Sequence, residues 1–199
     1  MANNQWDERF SGSDYYYGTQ PNAFFKEELN KFKAGRILML GEGEGRNGVY
    51  AAQHGWQVDA FDASTEAKKK ALALAQQRNT TLNYAVQNLE MFVPQENMYD
   101  AAGLIFIHLP EALRKQIHAR CIAALKPGGR IILEAFAKEQ ITKTSGGPKS
   151  IELLYSTDII AHDFHTMETI LLERETVELD EGEHHRGEAV VIRFVGEKK

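Results

Sequence analysis

Short apolar runs alternate with longer stretches of helical periodicity from residue 36 onward, and a glycine-rich turn follows the first apolar run. This alternation is typical of βαβ units, in which helices connect neighbouring parallel strands. The pattern therefore predicts an α/β protein built on a parallel sheet.

The predicted elements follow from the length and composition of each run. The expected strands are residues 37–40, 58–61, 82–86, 101–107 and 130–136. Helices are expected to end near His54, to cover 66–77 and to begin at Pro110, since proline suits the first helical turn. Near the end of the chain, 169–179 and 186–195 flank an acidic turn and predict an antiparallel hairpin.

The first 35 residues differ in composition from the remainder of the chain. Seven aromatic residues surround turn-forming glycine and proline residues: Trp6, Phe10, Tyr15, Tyr16, Tyr17, Phe24 and Phe25. This segment is too aromatic to be disordered and too interrupted to form a long helix. We expect a single domain over 1–199, in which 1–35 form a cap on an α/β core of 36–199.

Composition excludes several classes of protein. The chain has 199 residues, a net charge of −5 and no long basic run, which argues against a nucleic-acid surface. Its one cysteine, Cys121, cannot form an intrachain disulfide, and no apolar run approaches the roughly 20 residues of a membrane helix. His162 with His165, and His184 with His185, lack the further ligands of a metal motif. We therefore expect a cytoplasmic protein without a metal site, a nucleic-acid partner or a membrane partner.

The glycine turn at 41–45 reads Gly-Glu-Gly-Glu-Gly, and Asp62 ends the second predicted strand. Glycines let a ligand approach the backbone, and an acid 19 positions after Gly43 is suited to bind a ribose diol. Two cofactor classes fit, since the turn also satisfies the weak G-x-G-x-x-G dinucleotide pattern. Glu42 and Glu44 would each repel a pyrophosphate by roughly 3 kcal/mol if they face the site, whereas S-adenosylmethionine has no phosphate. Glutamates that point into solvent would remove that distinction.

Four segments resemble, in order, the motifs of class I S-adenosylmethionine-dependent methyltransferases. They are the first-strand motif at 37–47, the second-strand motif at 58–64, the fourth-strand region at 99–110 and the Leu-Lys-Pro-Gly-Gly sequence at 125–129. The N-terminal Trp-Asp-x-Arg-Phe and Tyr-Gly-x-x-Pro-Asn sequences, with His-Arg-Gly at 185–187, resemble a small bacterial branch related to tellurite-resistance and thiopurine methyltransferases. The resemblance implies a Rossmann-like fold with a mostly parallel seven-stranded sheet, helices on both faces and a C-terminal antiparallel hairpin.

The resemblance also implies which residues bind S-adenosylmethionine. Glycines would line its methionine part, Asp62 would hold the ribose hydroxyls, and the cap would close over the cofactor. The implied cofactor-binding residues are Arg9, Tyr17, Gly41, Glu42, Gly43, Gly45, Asp62, Ala63, Asn88, Leu89 and Leu104. Met39 replaces the usual acid of the first motif, and Glu42 is a candidate to supply that charge. Asn88 stands where many family members have aspartate.

Methyl transfer requires a base only when the acceptor must lose a proton. The candidates are His108, which follows the fourth strand, and Glu134, a carboxylate in an apolar strand where a charge needs a partner or a task. The alternatives are structural: a turn anchor for His108 and, for Arg186, an ion pair with Glu134 or with a neighbour. The expected acceptor-binding residues are His108, Glu134, Tyr155, His185 and Arg186.

These observations predict a methyltransferase that transfers a methyl group to a small-molecule acceptor by in-line displacement. The alternative is a non-catalytic sensor of S-adenosylmethionine or S-adenosylhomocysteine with the same fold, because Met39 and Asn88 depart from the motifs. A nicotinamide-dependent oxidoreductase is disfavoured by the acids of the glycine turn and by the absence of a Tyr-x-x-x-Lys pair. The sequence does not exclude a protein acceptor.

Overall fold

The computed structural model describes residues 3–182 and 184–199. The first two residues of the expected cap and Glu183, in the expected hairpin turn, lie outside the described residues. The helices are α1 Asn3–Phe10, α2 Ala23–Leu29, α3 Arg46–Gln53, α4 Thr65–Gln77, α5 Glu111–Ala124 and α6 Thr157–Asp163. The strands are β1 Arg36–Leu40, β2 Gln57–Asp62, β3 Asn83–Val86, β4 Tyr99–Ile105, β5 Leu125–Phe136, β6 Met167–Asp180 and β7 Arg186–Lys198.

The strands form one seven-stranded sheet in the order β3-β2-β1-β4-β5-β7-β6. The first five strands are mutually parallel, and β7 lies antiparallel to both β5 and β6. This architecture confirms the expected α/β fold class, including the C-terminal hairpin. The sheet grows in one direction from β1 to β3 and in the other from β4 onward, so the crevice beyond β1 and β4 is the switch point where ligands bind in such sheets.

Helices cover both faces of the sheet, because successive residues of β1 point to opposite faces. Leu38 belongs to an apolar cluster that contains Ile117 of α5. Met39 belongs to the cluster on the other face, with Phe25 of α2 and Ala71 of α4. The methionine that replaces the usual acid of the first motif is therefore a core residue.

The structure corrects the expected start of the fifth strand, which begins at Leu125 rather than Arg130. Tyr99 and Ala101 of β4 pair with these two positions, so the four residues between Leu125 and Arg130 bulge out of the ladder. The Lys-Pro-Gly-Gly sequence contains a proline without an amide donor and a glycine, Gly128, with a φ of 77°. It therefore interrupts the pairing within a strand rather than preceding the strand.

The N-terminal segment contributes to the core. Phe24, Phe25 and Leu29 of α2 are at most 4% exposed. They share the apolar cluster that contains Ile37 of β1 and Val58 of β2. Burial of three large side chains against two strands holds this segment on the sheet.

Candidate cofactor and acceptor site

The loop that follows β1 requires glycine at three positions. Gly41, Gly43 and Gly45 have φ values of 55°, 60° and 92°, a conformation that residues with a Cβ rarely adopt. A Cβ at Gly45 would lie 2.7 Å from the Cβ of Ala71, and one at Gly41 would lie 3.1 Å from the side chain of Ile107. The loop thus brings bare backbone to the switch point between β1 and β4.

Asp62 lies beside this loop at the end of β2. Its carboxylate accepts hydrogen bonds from the amides of Gly43 and Ser64, each at 2.9 Å. The hydroxyl of Tyr84 on β3 donates to the carbonyl of Gly43 at 2.6 Å and supports the loop from below. Burial raises the pKa of Asp62 above its ordinary value. The structure therefore brings together the glycines and the acid that the resemblance assigns to the cofactor.

Glu44 ties the N-terminal segment to the loop. Its carboxylate accepts a hydrogen bond from the amide of Tyr16 at 2.7 Å and forms a 2.7 Å ion pair with Lys70 of α4. The side chain is 3% exposed, so it does not point into solvent. Its charge is compensated by the ion pair with Lys70. The charge of Lys70 cancels the repulsion of phosphate that the sequence argument ascribed to Glu44.

Glu42 caps helix α3. The helix starts after Gly45, which has no side chain to satisfy the first amides, and one carboxyl oxygen of Glu42 accepts from the amide of Gly48. The other oxygen is buried without a partner. Burial raises the pKa of Glu42 to about 8. A carboxyl group that is largely protonated at neutral pH is suited to capping and poorly suited to supply the charge that Met39 lacks.

Glu181 lies at the end of the hairpin, opposite the glycine loop, and joins three distant segments. One carboxylate oxygen accepts from the side-chain amide of Asn22 at 2.8 Å. The other accepts from Arg46 at 2.8 Å and lies 3.6 Å from Nδ1 of His185. Although burial opposes ionisation, His185 and Arg46 lower the pKa of Glu181 to about 2. Glu181 is thus a buried anion shared by the N-terminal segment, α3 and the hairpin.

Glu134, an expected catalytic residue, is 1% exposed and fully engaged. It accepts from the amide group of Asn22 at 2.6 Å and forms a 2.6 Å ion pair with Arg193, its register partner on β7. Burial raises the pKa of Glu134, and the ion pair opposes that rise. Arg186 does not reach Glu134, since its side chain is 75% exposed and lies 3.8 Å from Asp180. These contacts indicate a structural ion pair between β5 and β7 that supports the site.

His108, the other expected catalytic residue, has both ring nitrogens engaged. Nδ1 lies 2.8 Å from the carbonyl of Leu153, and Nε2 accepts from the amide of Phe136 at 3.2 Å. Burial lowers the pKa of His108 to about 4. Tyr155, expected in the acceptor pocket, is 1% exposed and donates to the carbonyl of Ile107 at 2.9 Å. Both side chains hold the loop after β4 and leave no free nitrogen or hydroxyl for an acceptor.

The remaining expected cofactor residues lie at three places. Within the N-terminal segment, Arg9 donates a hydrogen bond to the hydroxyl of Tyr17 at 3.3 Å. Asn88 precedes the short 3₁₀ helix Leu89–Met91 beyond β3, and its side chain makes no capping hydrogen bond there. Leu104 is 2% exposed and belongs to the apolar core.

Sequence reasoning missed four residues of this region: Asn22, Arg46, Phe106 and Glu181. Phe106 has a φ of 53°, unusual for a bulky residue, and its ring lies 4.8 Å from that of His185. Asn22 and Arg46 lie within the quoted Tyr-Gly-x-x-Pro-Asn and first-strand sequences. Their positions within these motifs could have indicated that the two residues belong to the site. For Glu181, the only indication in the sequence was the acidity of its turn.

Comparison with known proteins identifies a domain in part of the chain. Residues 37–129 match the family model described as a methyltransferase domain. No curated protein is similar enough in sequence to match. The matched segment begins in β1 and ends after the fifth strand has begun, so it contains the glycine loop and Asp62.

Solved structures share the fold at low sequence identity. A structure described for the conversion of a disulfide bond into a thioacetal group during echinomycin biosynthesis has a TM-score of 0.82 and 13% identity, over 100% of this chain and 92% of that chain. TehB from Haemophilus influenzae has a TM-score of 0.75 and 17% identity, over 99% and 67%. The N-methyltransferase NodS from Bradyrhizobium japonicum WM9, in complex with S-adenosyl-L-homocysteine, has a TM-score of 0.71 and 13% identity. The match covers 98% of this chain and 97% of that chain.

The domain match identifies residues 37–129 as a methyltransferase domain, and the fold agrees with that match. The residues present fit S-adenosylmethionine, the methyl donor that the sequence motifs imply. In the described part of the chain, four buried side-chain atoms lack a hydrogen-bond partner, and three of them belong to Glu42, Arg46 and His185, around the glycine loop. Polar atoms buried without partners indicate a place where a polar ligand binds. None of the described helices is long and apolar enough to cross a membrane.

Proposed function

We propose that this methyltransferase transfers a methyl group to a small-molecule acceptor by in-line displacement. The observation that carries the proposal is that two different groups of residues follow the ends of neighbouring strands. One is the polar glycine loop after β1, with Asp62 at the end of β2, and the other is an aromatic cluster of Phe106, Phe136 and His185 at the ends of β4 and β5. Such a pair is suited to bind a nucleoside cofactor on one side and a small organic molecule on the other.

On the cofactor side, we assign Gly41, Gly43 and Gly45 to the methionine part of S-adenosylmethionine. Asp62 binds the ribose hydroxyls, as its position beside the loop supports. Ala63, Asn88 and Leu89 border the adenine in this proposal, because they follow the ends of β2 and β3 at the same edge of the sheet. When bound, S-adenosylmethionine supplies the electrophilic methyl group.

Arg46 is a further candidate for this side. It is the first residue of α3 and is 8% exposed. Its Nη2 donates to Glu181, and its Nη1 is buried without a hydrogen-bond partner among the described residues. A guanidinium binds carboxylates well, so we assign this free nitrogen to the carboxylate of the methionyl group.

We also propose that residues 1–199 act as one domain, with 1–35 as a cap over the cofactor. Asp7 of α1 accepts from the hydroxyl of Ser64 at 2.6 Å and from the amide of Glu66 at 3.2 Å, at the start of α4. These bonds, with those of Glu44, hold the segment over the loop. The similarity to TehB supports placing the chain near the tellurite-resistance and thiopurine branch.

The binding experiment compares the thermal stability of the protein alone, with S-adenosylmethionine, with S-adenosylhomocysteine and with NADH. A ligand at 100 times its dissociation constant adds roughly 2.7 kcal/mol, or about 5 to 10 °C for a chain of this size. We expect a shift with both adenosyl ligands and none with NADH. A shift with NADH alone would contradict the assigned cofactor. A screen of small acceptors for S-adenosylhomocysteine release then tests the acceptor class.

A further inference from the structure

His185 occupies an unusual position in the candidate site. Its side chain is 6% exposed. Three aromatic rings surround it, with centroids 4.5 Å away for Tyr17, 4.8 Å for Phe106 and 5.2 Å for Phe136. Phe106 and Phe136 lie at the carboxyl ends of β4 and β5, so the ring stands over the edge of the sheet where ligands bind.

A carboxylate lies beside the imidazole. Nδ1 of His185 is 3.6 Å from the carboxylate of Glu181, slightly beyond hydrogen-bond distance, and has no hydrogen-bond partner among the described residues. Glu181 is itself held by Asn22 and Arg46. An anion fixed in this way favours the tautomer with the proton on Nδ1, which leaves the lone pair of Nε2 available.

The loop beside Nε2 carries no side chain. A Cβ at Gly146 would lie 3.1 Å from Nε2 and 2.6 Å from Cδ2 of His185. Gly146 has a φ of 120°, a conformation reserved for glycine. A side chain at this position would collide with the imidazole, so only glycine allows the loop to pack against the ring beside Nε2.

Other candidates for a base are engaged elsewhere. Both nitrogens of His108 have backbone partners, and both oxygens of Glu134 have side-chain partners. Of the three groups, His185 alone combines an orienting carboxylate with an uncommitted ring nitrogen.

We propose, resting on the methyl transfer proposed above, that His185 is the general base of this enzyme, with Glu181 as its positioning residue. The acceptor then carries a proton on its nucleophilic atom at neutral pH. Nε2 of His185 takes that proton as the nucleophilic atom forms a bond to the methyl carbon. The carbon–sulfur bond breaks, its electron pair stays on sulfur, and the imidazolium returns the proton to solvent after product release.

The charged and titratable groups around His185 suit this role. Burial lowers the pKa of His185, Arg46 and Arg9 lower it further, and Glu181 opposes them. The ring also faces Tyr17 and His108. The imidazole is thus neutral at physiological pH, and Glu181 stabilises the imidazolium that forms during transfer.

The test measures S-adenosylhomocysteine formation with two kinds of probe acceptor. Benzyl mercaptan and phenol carry a proton at the reacting atom, whereas 4-nitrothiophenol is ionised at pH 7.5. In His185→Gln we expect kcat/KM for the protonated probes to fall at least about 100-fold, with a change of less than about threefold for the ionised probe. The acid limb of the wild-type pH profile should disappear with the protonated probes. His162→Gln, at an exposed position on α6, is the matched control.

The ionised probe distinguishes catalysis from folding, since a misfolded variant loses activity with both kinds of acceptor and is recognised by its S-adenosylhomocysteine affinity. His185→Asn then serves as the second variant. Equal losses on all probes in a variant that still binds S-adenosylhomocysteine would overturn the proposal. So would a wild-type protein that binds S-adenosylhomocysteine but methylates no protonated probe. A wild-type protein that does not bind S-adenosylhomocysteine would instead overturn the cofactor assignment.

Discussion

Two carboxylates near the glycine loop are almost equally buried and ionise in opposite ways. Glu42 is 6% exposed and burial raises its pKa to about 8. The side chain of Glu181 is 10% exposed, and His185 and Arg46 lower its pKa to about 2. Burial penalises the charge in both places, and a cation in direct contact with the carboxylate decides the outcome. Glu42 accepts only from the backbone of α3, whereas Glu181 bonds directly to a guanidinium.

The surroundings of the two acids also differ in how the chain builds them. Glu42 and its partner Gly48 belong to one continuous strand–loop–helix segment. Glu181 meets Asn22 and Arg46, which lie 159 and 135 positions away in the chain. The first environment is local and neutral, and the second is assembled by the fold and charged. Changes to the second should therefore cost more.

Glu181→Gln should produce the largest effect. It leaves the Arg46 guanidinium buried without its anion, which costs about 3 to 5 kcal/mol when one partner of a buried pair is removed. The lowered pKa of Glu181 stabilises the fold above pH 4.5, and that contribution is lost as pH falls toward 2. The difference in the free energy of unfolding between wild type and variant, measured by urea denaturation, should thus be largest at pH 7 and decrease below pH 4.5. Glu178→Gln, exposed on β6 three residues before Glu181, is the control, and a loss equal to that of the control would contradict the prediction.

Glu42→Gln should raise, rather than lower, the free energy of unfolding at high pH. Because the pKa of Glu42 is raised in the folded state, the wild type is most stable below pH 4.5 and loses stability as pH rises through about 8. Glutamine keeps the bond to Gly48 and does not ionise. We expect the variant to match the wild type at pH 4.5 and to exceed it by about 5 kcal/mol at pH 9. Parallel stability curves for the two proteins across this range would show that Glu42 does not titrate there.

Asp62→Asn should weaken cofactor binding and also the loop. The side-chain oxygen can accept from Gly43, but the NH2 group then faces the amide of Ser64, and the ribose hydroxyls lose a carboxylate acceptor, a loss of about 1.5 to 3 kcal/mol in binding. Isothermal titration should show a dissociation constant for S-adenosylhomocysteine about 10- to 100-fold higher. Asp158→Asn, exposed on α6, should leave it unchanged. Equal affinity of Asp62→Asn and wild type would remove Asp62 from the cofactor site.

Arg186→Gln should have the smallest effect. The side chain is mostly exposed, and its nearest acid, Asp180, lies 3.8 Å away. Exposed pairs of this kind contribute little, so we expect no measurable change in melting temperature, cofactor affinity or kcat/KM for the probe acceptors. A raised KM with unchanged kcat would restore Arg186 as an acceptor-binding residue, as the sequence motif suggested.

Local patterns were sufficient for most of the sheet. The alternation of apolar runs and helices predicts β1 to β4 in parallel, because each strand and its following helix are encoded next to each other. The predicted start of β5 was wrong. The residues on both sides of the Lys-Pro-Gly-Gly bulge pair with β4, and a local pattern does not contain that contact. The same limit applies to Glu134, since only the register of β5 with β7 shows that Arg193 is its partner.

The sequence by itself determined the fold class, the hairpin and the glycine loop beside Asp62. These features depend on residues close together in the chain, where periodicity and glycine conformation act locally. The tertiary structure decided which polar side chains are free and which are engaged. It tied both nitrogens of His108 to backbone groups and brought Arg46 and His185 to Glu181. Hydrogen bonds and charge compensation depend on distances of a few ångströms between segments remote in sequence, and only the packed chain sets those distances.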